Sequence, residues 1–257
     1  MCFDSSASPP PPPIAGGAGI AGADDVVLEA ADGNHFGAFS ARAADPAAAG
    51  IAILPDVRGL HSFYRVLAVR FAEAGVHATA MDYFGRTAGV GERGEEFRFM
   101  DHVAKTTPDG VANDVAATVR HLRSPEGGGA ERVFTLGFCF GGRHSFNQAS
   151  RGHGLAGVVG FYGFPQQRDP KDDVAPVVLA KTYTCPVLGL FGGADTSVPP
   201  EAVEEFRSAL DRGGIQNELV VYDGAPHSFF DRKADTYAEA SADAWRRILA
   251  FVGAPTA

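Results

Sequence analysis

Cys139 stands at the centre of the pentapeptide Gly137–Phe138–Cys139–Phe140–Gly141. An apolar, β-prone run (Val133, Phe134, Leu136) precedes it, and a segment able to begin a helix follows. A strand, a sharp turn and a helix around a thiol hold the sulphur out of the fold on a strained backbone, where it can act as a nucleophile. The flanking glycines suit such a turn, because strand and helix pass too close there for side chains. A free thiol ionises near pH ~8.5, so thiolate is within reach at neutrality. Thiolates attack activated esters and lactones well, and they leave well too, which disfavours amide cleavage. Ser145 and Ser150 lie inside the following helical segment, so the thiol is the one hydroxyl or thiol group with the turn context.

A nucleophile of this kind needs a base for its proton and a carboxylate to hold that base in one tautomer. Two loops downstream supply them. Residues 187–191, a short apolar strand, run into Gly192–Gly193–Ala194–Asp195, and residues 219–222 run into Gly224–Ala225–Pro226–His227. Asp195 alone reads as the cap of a helix beginning near Pro200, and His227 alone as a surface histidine. In this order, each after a strand, Cys139, Asp195 and His227 read as a triad meeting at the carboxyl ends of the strands. The other histidines lack that context; of them His61 and His102 are the two placed to line a cleft.

The elements that must position these residues alternate along the chain. Residues 26–30 and 36–40 read as a hairpin across Asp32–Gly33–Asn34. Residues 51–54, 77–81, 133–136, 155–161, 187–191 and 219–222 read as buried strands, and 63–74, 111–122, 201–210 and 237–252 as helices. Apolar strands separated by amphipathic helices predict an α/β fold, a mostly parallel sheet with helices on both faces. Gly85 to Pro108 is polar, charged and Gly-bearing, and reads as a long loop of the kind that forms a lid or active-site wall.

The 257 residues suit one domain, expected over 25–257. Residues 1–24, with an unbroken proline run from Pro9 to Pro13 and then Gly16, Gly17, Gly19 and Gly22, read as a disordered, solvated leader without the basic and apolar regions of a signal peptide. A net charge of −9 disfavours nucleic acid and anionic membranes as partners. No apolar run approaches the ~20 residues a membrane span needs. Three cysteines make no disulfide framework, which points to a reducing, cytoplasmic setting. No C-x-x-C pair supports a redox role, and Cys185 reads as a packed thiol.

Beyond these single features, the segments Gly137–Gly142 (GFCFGG), Gly160–Gly163 (GFYG), Gly192–Asp195 (GGAD) and Pro226–Phe229 (PHSF) make the chain resemble the dienelactone hydrolase family of α/β-hydrolases. Matching pieces run from about 51 to 252. The resemblance implies the α/β-hydrolase fold, Cys139 as nucleophile, His227 as base and Asp195 as its orienter. It implies two oxyanion donors, the amides of Phe140 and Val57. Separately from the resemblance, Tyr162, with Phe138, Phe140 and Phe229, lies beside these positions and reads as part of an apolar wall at the substrate. No metal and no cofactor are expected, the expected partner is a small ester or lactone, and the protein is expected to be a monomer or homodimer.

Two matched positions depart from the family. Its thiol-activating glutamate is Asp56 here, one methylene shorter, which either reaches the thiol or pairs with Arg58 or Arg86. Of its two carboxylate-binding arginines, one matches Arg86; the other position is Asp231, with Arg232 one residue late. A carboxylate there opposes an anionic lactone, so neutral activated esters are expected to serve at least as well. The leading reading is therefore a cysteine-dependent ester or lactone hydrolase working through a thioester. The alternative is a catalytically weak small-molecule binding or sensor protein on the same fold.

Overall fold

The computed structural model describes residues 7–14, 19–45, 48–93 and 96–253. Its strands are β1 (Ile20–Glu29), β2 (His35–Ala43), β3 (Gly50–Leu54), β4 (His77–Met81), β5 (Val133–Phe138), β6 (Gly157–Phe161), β7 (Val187–Gly192) and β8 (Asn217–Tyr222). Among the described residues they form one eight-stranded sheet in the order β1-β2-β4-β3-β5-β6-β7-β8. β2 pairs antiparallel with β1 and with β4; every pairing from β4 to β8 is parallel. The nucleophile strand β5 lies between β3 and β6, near the middle of the sheet.

Helices cover both faces, as the unalternating apolar strands require. They are α1 (Ser62–Glu73), α2 (Gly85–Ala88), α3 (Phe99–Val103), α4 (Pro108–Arg123), α5 (Phe140–Gln148), α6 (Pro176–Leu179), α7 (Pro200–Arg212) and α8 (Ala238–Val252). The period of two along β3 shows how the faces divide. Ile51 and Ile53 join the core of Leu67 and Phe71 from α1 and Trp245 from α8, whereas Ala52 and Leu54 join Val111, Val115 and Leu122 from α4. Helix α4 starts where its sequence says it must: Thr107 accepts the Gly110 amide at 3.1 Å, and Pro108 fills the first turn, where no N–H is needed.

Two expectations change. The leader does not run free to residue 24. β1 reaches back to Ile20, and Ile20 to Asp24 pair with Ala43 to Ser40 of β2. Upstream, the Pro10 carbonyl accepts the Trp245 indole N–H at 2.9 Å, and Ala7 and Ile14 pack on the core around α1 and α8. The reason is mutual need: a buried indole requires an acceptor, and a proline run has carbonyls with no partners of their own. Residues 1–6 and 15–18 of that leader lie outside the described residues.

The described part of the stretch from Gly85 to Pro108, which leaves out residues 94 and 95, is likewise more ordered than a loop. It carries α2 and α3, and Arg93 ties it down with its Nε 2.8 Å from the buried Asp82 carboxylate. The Arg93 guanidinium also lies 4.9 Å from the Phe97 ring, which stacks on His102 at 4.7 Å. No helix among the described residues is long and apolar enough to cross a membrane.

Candidate active site

β5 ends at Phe138, α5 starts at Phe140, and Cys139 alone makes the turn. Its φ of 53° and ψ of −111° are strained for a residue with a side chain, at a cost of about 1–3 kcal/mol. The surroundings enforce it. The Cys139 amide donates to the Phe161 carbonyl at 3.0 Å, and the Arg143 amide returns to the Cys139 carbonyl at 3.1 Å. A Cβ on Gly137 would lie 2.0 Å from the Gly141 carbonyl oxygen. One on Gly141 would lie 2.2 Å from the Pro55 oxygen and 2.3 Å from that of Leu54. Gly142 and Gly163 meet backbone to backbone, since a Cβ on Gly163 would lie 2.4 Å from the Gly142 carbonyl carbon. The glycines of GFCFGG and GFYG are thus the close approaches that press β5, α5, β6 and the loop after β3 together around the sulphur.

The loops after β7 and β8 are tied to each other by backbone bonds, Gly193 N to Tyr222 O (2.8 Å) and Ala194 N to Ala225 O (2.9 Å). That lacing delivers Asp195 to His227. The Asp195 side chain is fully buried; its Oδ1 accepts the amides of Ser197 (2.8 Å) and Val198 (3.3 Å), and its Oδ2 lies 2.6 Å from His227 Nδ1. With Nδ1–H given to Asp195, Nε2 is the nitrogen left for the sulphur. Burial opposes a charge on His227, but the hydrogen bond to Asp195, the neighbouring Cys139 sulphur and the charges of both outweigh it and push its pKa up to about 10. Asp195 and His227 are therefore joined by a hydrogen bond, and the Cys139 sulphur is near enough to act on the imidazole's protonation.

The two amides expected to hold an oxyanion are differently displayed. Phe140 is the first residue of α5, and its N–H is one of the four that a helix leaves without an intrahelical partner. In the loop after β3, the Asp56 amide donates to Tyr64 Oη (2.9 Å), Arg58 N to Asp56 Oδ1 (2.9 Å) and Gly59 N to Asp56 O (3.1 Å). Of these four successive amides, only that of Val57 has no partner among the described residues.

The remaining candidates are elsewhere engaged. Asp56 is not on the thiol: its carboxylate grips Arg58, with Nε 3.1 Å from both oxygens and Nη2 2.8 Å from Oδ2. The shorter side chain turns back onto the arginine two residues away. Arg86, expected as an anion clamp, is bonded to groups of the chain itself. Its Nε, Nη1 and Nη2 all donate to Asp32, Asp114 or the Gly110 carbonyl, at 2.7–3.1 Å. Two carboxylates on one guanidinium leave no net attraction for a third. Tyr162 is buried rather than open to a ligand; its ring lies 4.6 Å from that of His227, and its hydroxyl donates to Asp231 Oδ2 at 3.3 Å. Asp231 is buried too, and burial, with the Asp56 charge adding to it, pushes its carboxyl up to about 6 against the pull of the Arg232 amide.

Sequence reasoning missed Tyr64 and Tyr83. Both are fully buried aromatics whose hydroxyls hold the loop carrying Val57, Tyr83 by donating to the carbonyls of Pro55 (2.9 Å) and Asp56. In sequence they look like core residues, and nothing in their spacing marks the hydroxyls. It also missed Arg143, which fixes the loop after β6 through Asp172 and the carbonyls of Phe164 and Gln166.

Residues 36–255 match the model of the dienelactone hydrolase family. A "Putative carboxymethylenebutenolidase" of Salmonella typhimurium is 33% identical over 227 residues, covering 84% of this chain and 82% of the relative. A Bradyrhizobium protein described as a "Probable 2-oxo-3-(5-oxofuran-2-ylidene)propanoate lactonase" is 28% identical, covering 79% and 82%. Among solved structures, a "Putative Dienelactone Hydrolase" of Klebsiella pneumoniae superimposes with a TM-score of 0.77 at 28% identity, covering 90% of this chain and 99% of the other.

Proposed function

The chain belongs to the dienelactone hydrolase family, and from that premise we propose that it hydrolyses a small activated ester or lactone through a thioester on Cys139. One observation carries the reading: His227 Nδ1 lies 2.6 Å from the buried Asp195 carboxylate, with Cys139 close enough to raise the imidazole's pKa. His227 takes the proton of the Cys139 thiol, the direction in which its raised pKa points, so the reacting pair is a thiolate beside an imidazolium.

The sulphur adds to the substrate carbonyl carbon, and the carbonyl π pair moves onto oxygen, where the amides of Val57 and Phe140 receive it. Each such donor is worth about 3 kcal/mol in the transition state. Collapse breaks the C–O bond, and His227 gives its proton to the departing alkoxide, which in a lactone stays tethered to the acyl group. His227, now neutral, takes a proton from water as that water adds to the thioester. The second collapse breaks the C–S bond and expels the thiolate beside the imidazolium so formed. The product is a carboxylic acid and an alcohol, or a hydroxy acid from a lactone.

The substrate reading follows from the charges. With Arg86 spent on Asp32 and Asp114, and Asp231 standing where a second arginine would bind, neutral or weakly polar esters are favoured over carboxylate-bearing lactones. The test is steady-state turnover of p-nitrophenyl acetate: Cys139→Ala should abolish it with the fold intact, and near-wild-type activity in that variant refutes the mechanism.

A further inference from the structure

The loop that carries Val57 runs across the elbow, with the Pro55 and Leu54 carbonyls close enough to forbid a side chain at Gly141. Its peptide units are gripped individually. In the Pro55–Asp56 peptide, the carbonyl accepts from Tyr83 Oη at 2.9 Å and the N–H donates to Tyr64 Oη at 2.9 Å. In the Asp56–Val57 peptide, the carbonyl accepts from both Tyr83 Oη and the Gly59 amide. A trans peptide is planar, with C=O and N–H pointing in opposite directions. Fixing the Asp56 carbonyl toward Tyr83 therefore fixes the Val57 N–H away from it. That N–H is also the one in the segment without a partner among the described residues.

We propose that Tyr83 is a positioning residue for the oxyanion hole, its hydroxyl holding the Asp56 carbonyl so that the Val57 N–H is presented beside Cys139. The inference rests on the thioester reading above. Two features suit Tyr83 to the task. Its ring packs 5.5 Å from that of Phe140, the residue expected to supply the other oxyanion donor, so one side chain spans both halves of the hole. Its hydroxyl is fully buried, and burial together with the charges of Asp56, Asp82 and Cys139 drives its pKa far above the usual phenol range, so it remains a donor wherever the enzyme is folded. A hydrogen bond to a peptide carbonyl also polarises the N–H on the same unit, strengthening it as a donor.

The experiment compares Tyr83→Phe with wild type in two reactions of the same sulphur. Hydrolysis of p-nitrophenyl acetate passes through an oxyanion; alkylation by iodoacetamide does not. The hydroxyl should matter only to the first: kcat falls about tenfold or more, KM stays within about threefold, and the alkylation rate stays within about twofold. Equal falls in both rates mean that the hydroxyl merely supports the fold around the thiol, and overturn the proposal. Wild-type kcat in Tyr83→Phe, with Cys139→Ala inactive, overturns it while leaving the thioester mechanism standing. An active Cys139→Ala overturns both. Should Tyr83→Phe fail to fold, para-fluorophenylalanine at position 83, which keeps the size of the ring and removes the donor, decides by the same comparison: a selective loss of ester turnover supports the proposal, and parallel losses or none contradict it.

Discussion

His227 Nδ1 lies 2.6 Å from Asp195 Oδ2, and the other oxygen of that carboxylate is held by the amides of Ser197 and Val198. The aspartate is therefore fixed before the histidine meets it, and the histidine can offer only Nε2 to the sulphur. Asp195→Asn keeps the shape but loses the charge and permits the wrong tautomer. It should lower kcat for p-nitrophenyl acetate by two or more orders of magnitude, and it should add little to the loss already caused by His227→Ala. Losses that sum in free energy would show the two residues acting independently.

The protonation of His227 should depend on the sulphur. Burial alone would lower its pKa; Asp195 and Cys139 together raise it to about 10. Cys139→Ala removes one of the two partners, so the imidazole should titrate at clearly lower pH in an NMR titration of the variant than in wild type. The sign for stability follows. A histidine whose folded pKa exceeds its unfolded value contributes fully below about pH 6.5 and loses that contribution as pH rises toward 10. An unchanged titration midpoint in Cys139→Ala contradicts the pairing.

Gly141→Ala should damage the enzyme through the backbone. The new Cβ would sit 2.2 Å from the Pro55 carbonyl oxygen, which cannot rotate away as a side chain would. The loop bearing Val57 must move, so ester turnover should fall about a hundredfold or more, accompanied by a drop in melting temperature. Wild-type kcat in this variant would show that the elbow and that loop need not touch.

Asp231 is buried with its carboxyl raised to about 6. A raised carboxyl binds more protons folded than unfolded, so its contribution turns unfavourable as pH rises from about 4 through 6. Asp231→Asn should accordingly stabilise the fold at pH 8 more than at pH 4, the difference in unfolding free energy being on the order of 1–3 kcal/mol. Equal effects at both pH values would place the carboxyl in an ordinary solvated setting.

Substrate charge is testable with a matched lactone pair, one carrying a free carboxylate and the other its methyl ester. Because Arg86 already holds two carboxylates, kcat/KM for the methyl ester should equal or exceed that for the acid. A preference of about a hundredfold for the acid, worth ~2.7 kcal/mol, would restore a carboxylate-binding pocket and make Arg232 the first residue to replace.

What was legible in the sequence was whatever the backbone dictates. The glycines around Cys139, and those before Asp195, are required by close approaches of main chain to main chain, so they mark the elbow and the triad loops without any knowledge of partners. Strand β4 and helix α1 were equally readable, because buried apolar runs and a 3.6-residue period are local signals. The fates of Asp56 and Arg86 were not. Arg86 is decided by Asp32 and Asp114, which arrive from a hairpin turn and from α4. Helices α2 and α3 are too short to show a period. The leader's attachments come from far along the chain: its proline run meets the Trp245 indole, more than two hundred residues away.

The central claim is that the acyl group rests on the Cys139 sulphur. Intact-protein and peptide mass spectrometry, after rapid mixing with p-nitrophenyl acetate and acid quench, tests it directly. The account predicts one acetyl group per chain, located on Cys139, present at early times, lost on further incubation, and absent in Cys139→Ala. Continued ester turnover with no acyl group on Cys139 at any time, or with the label on Ser145 or another residue, would contradict it.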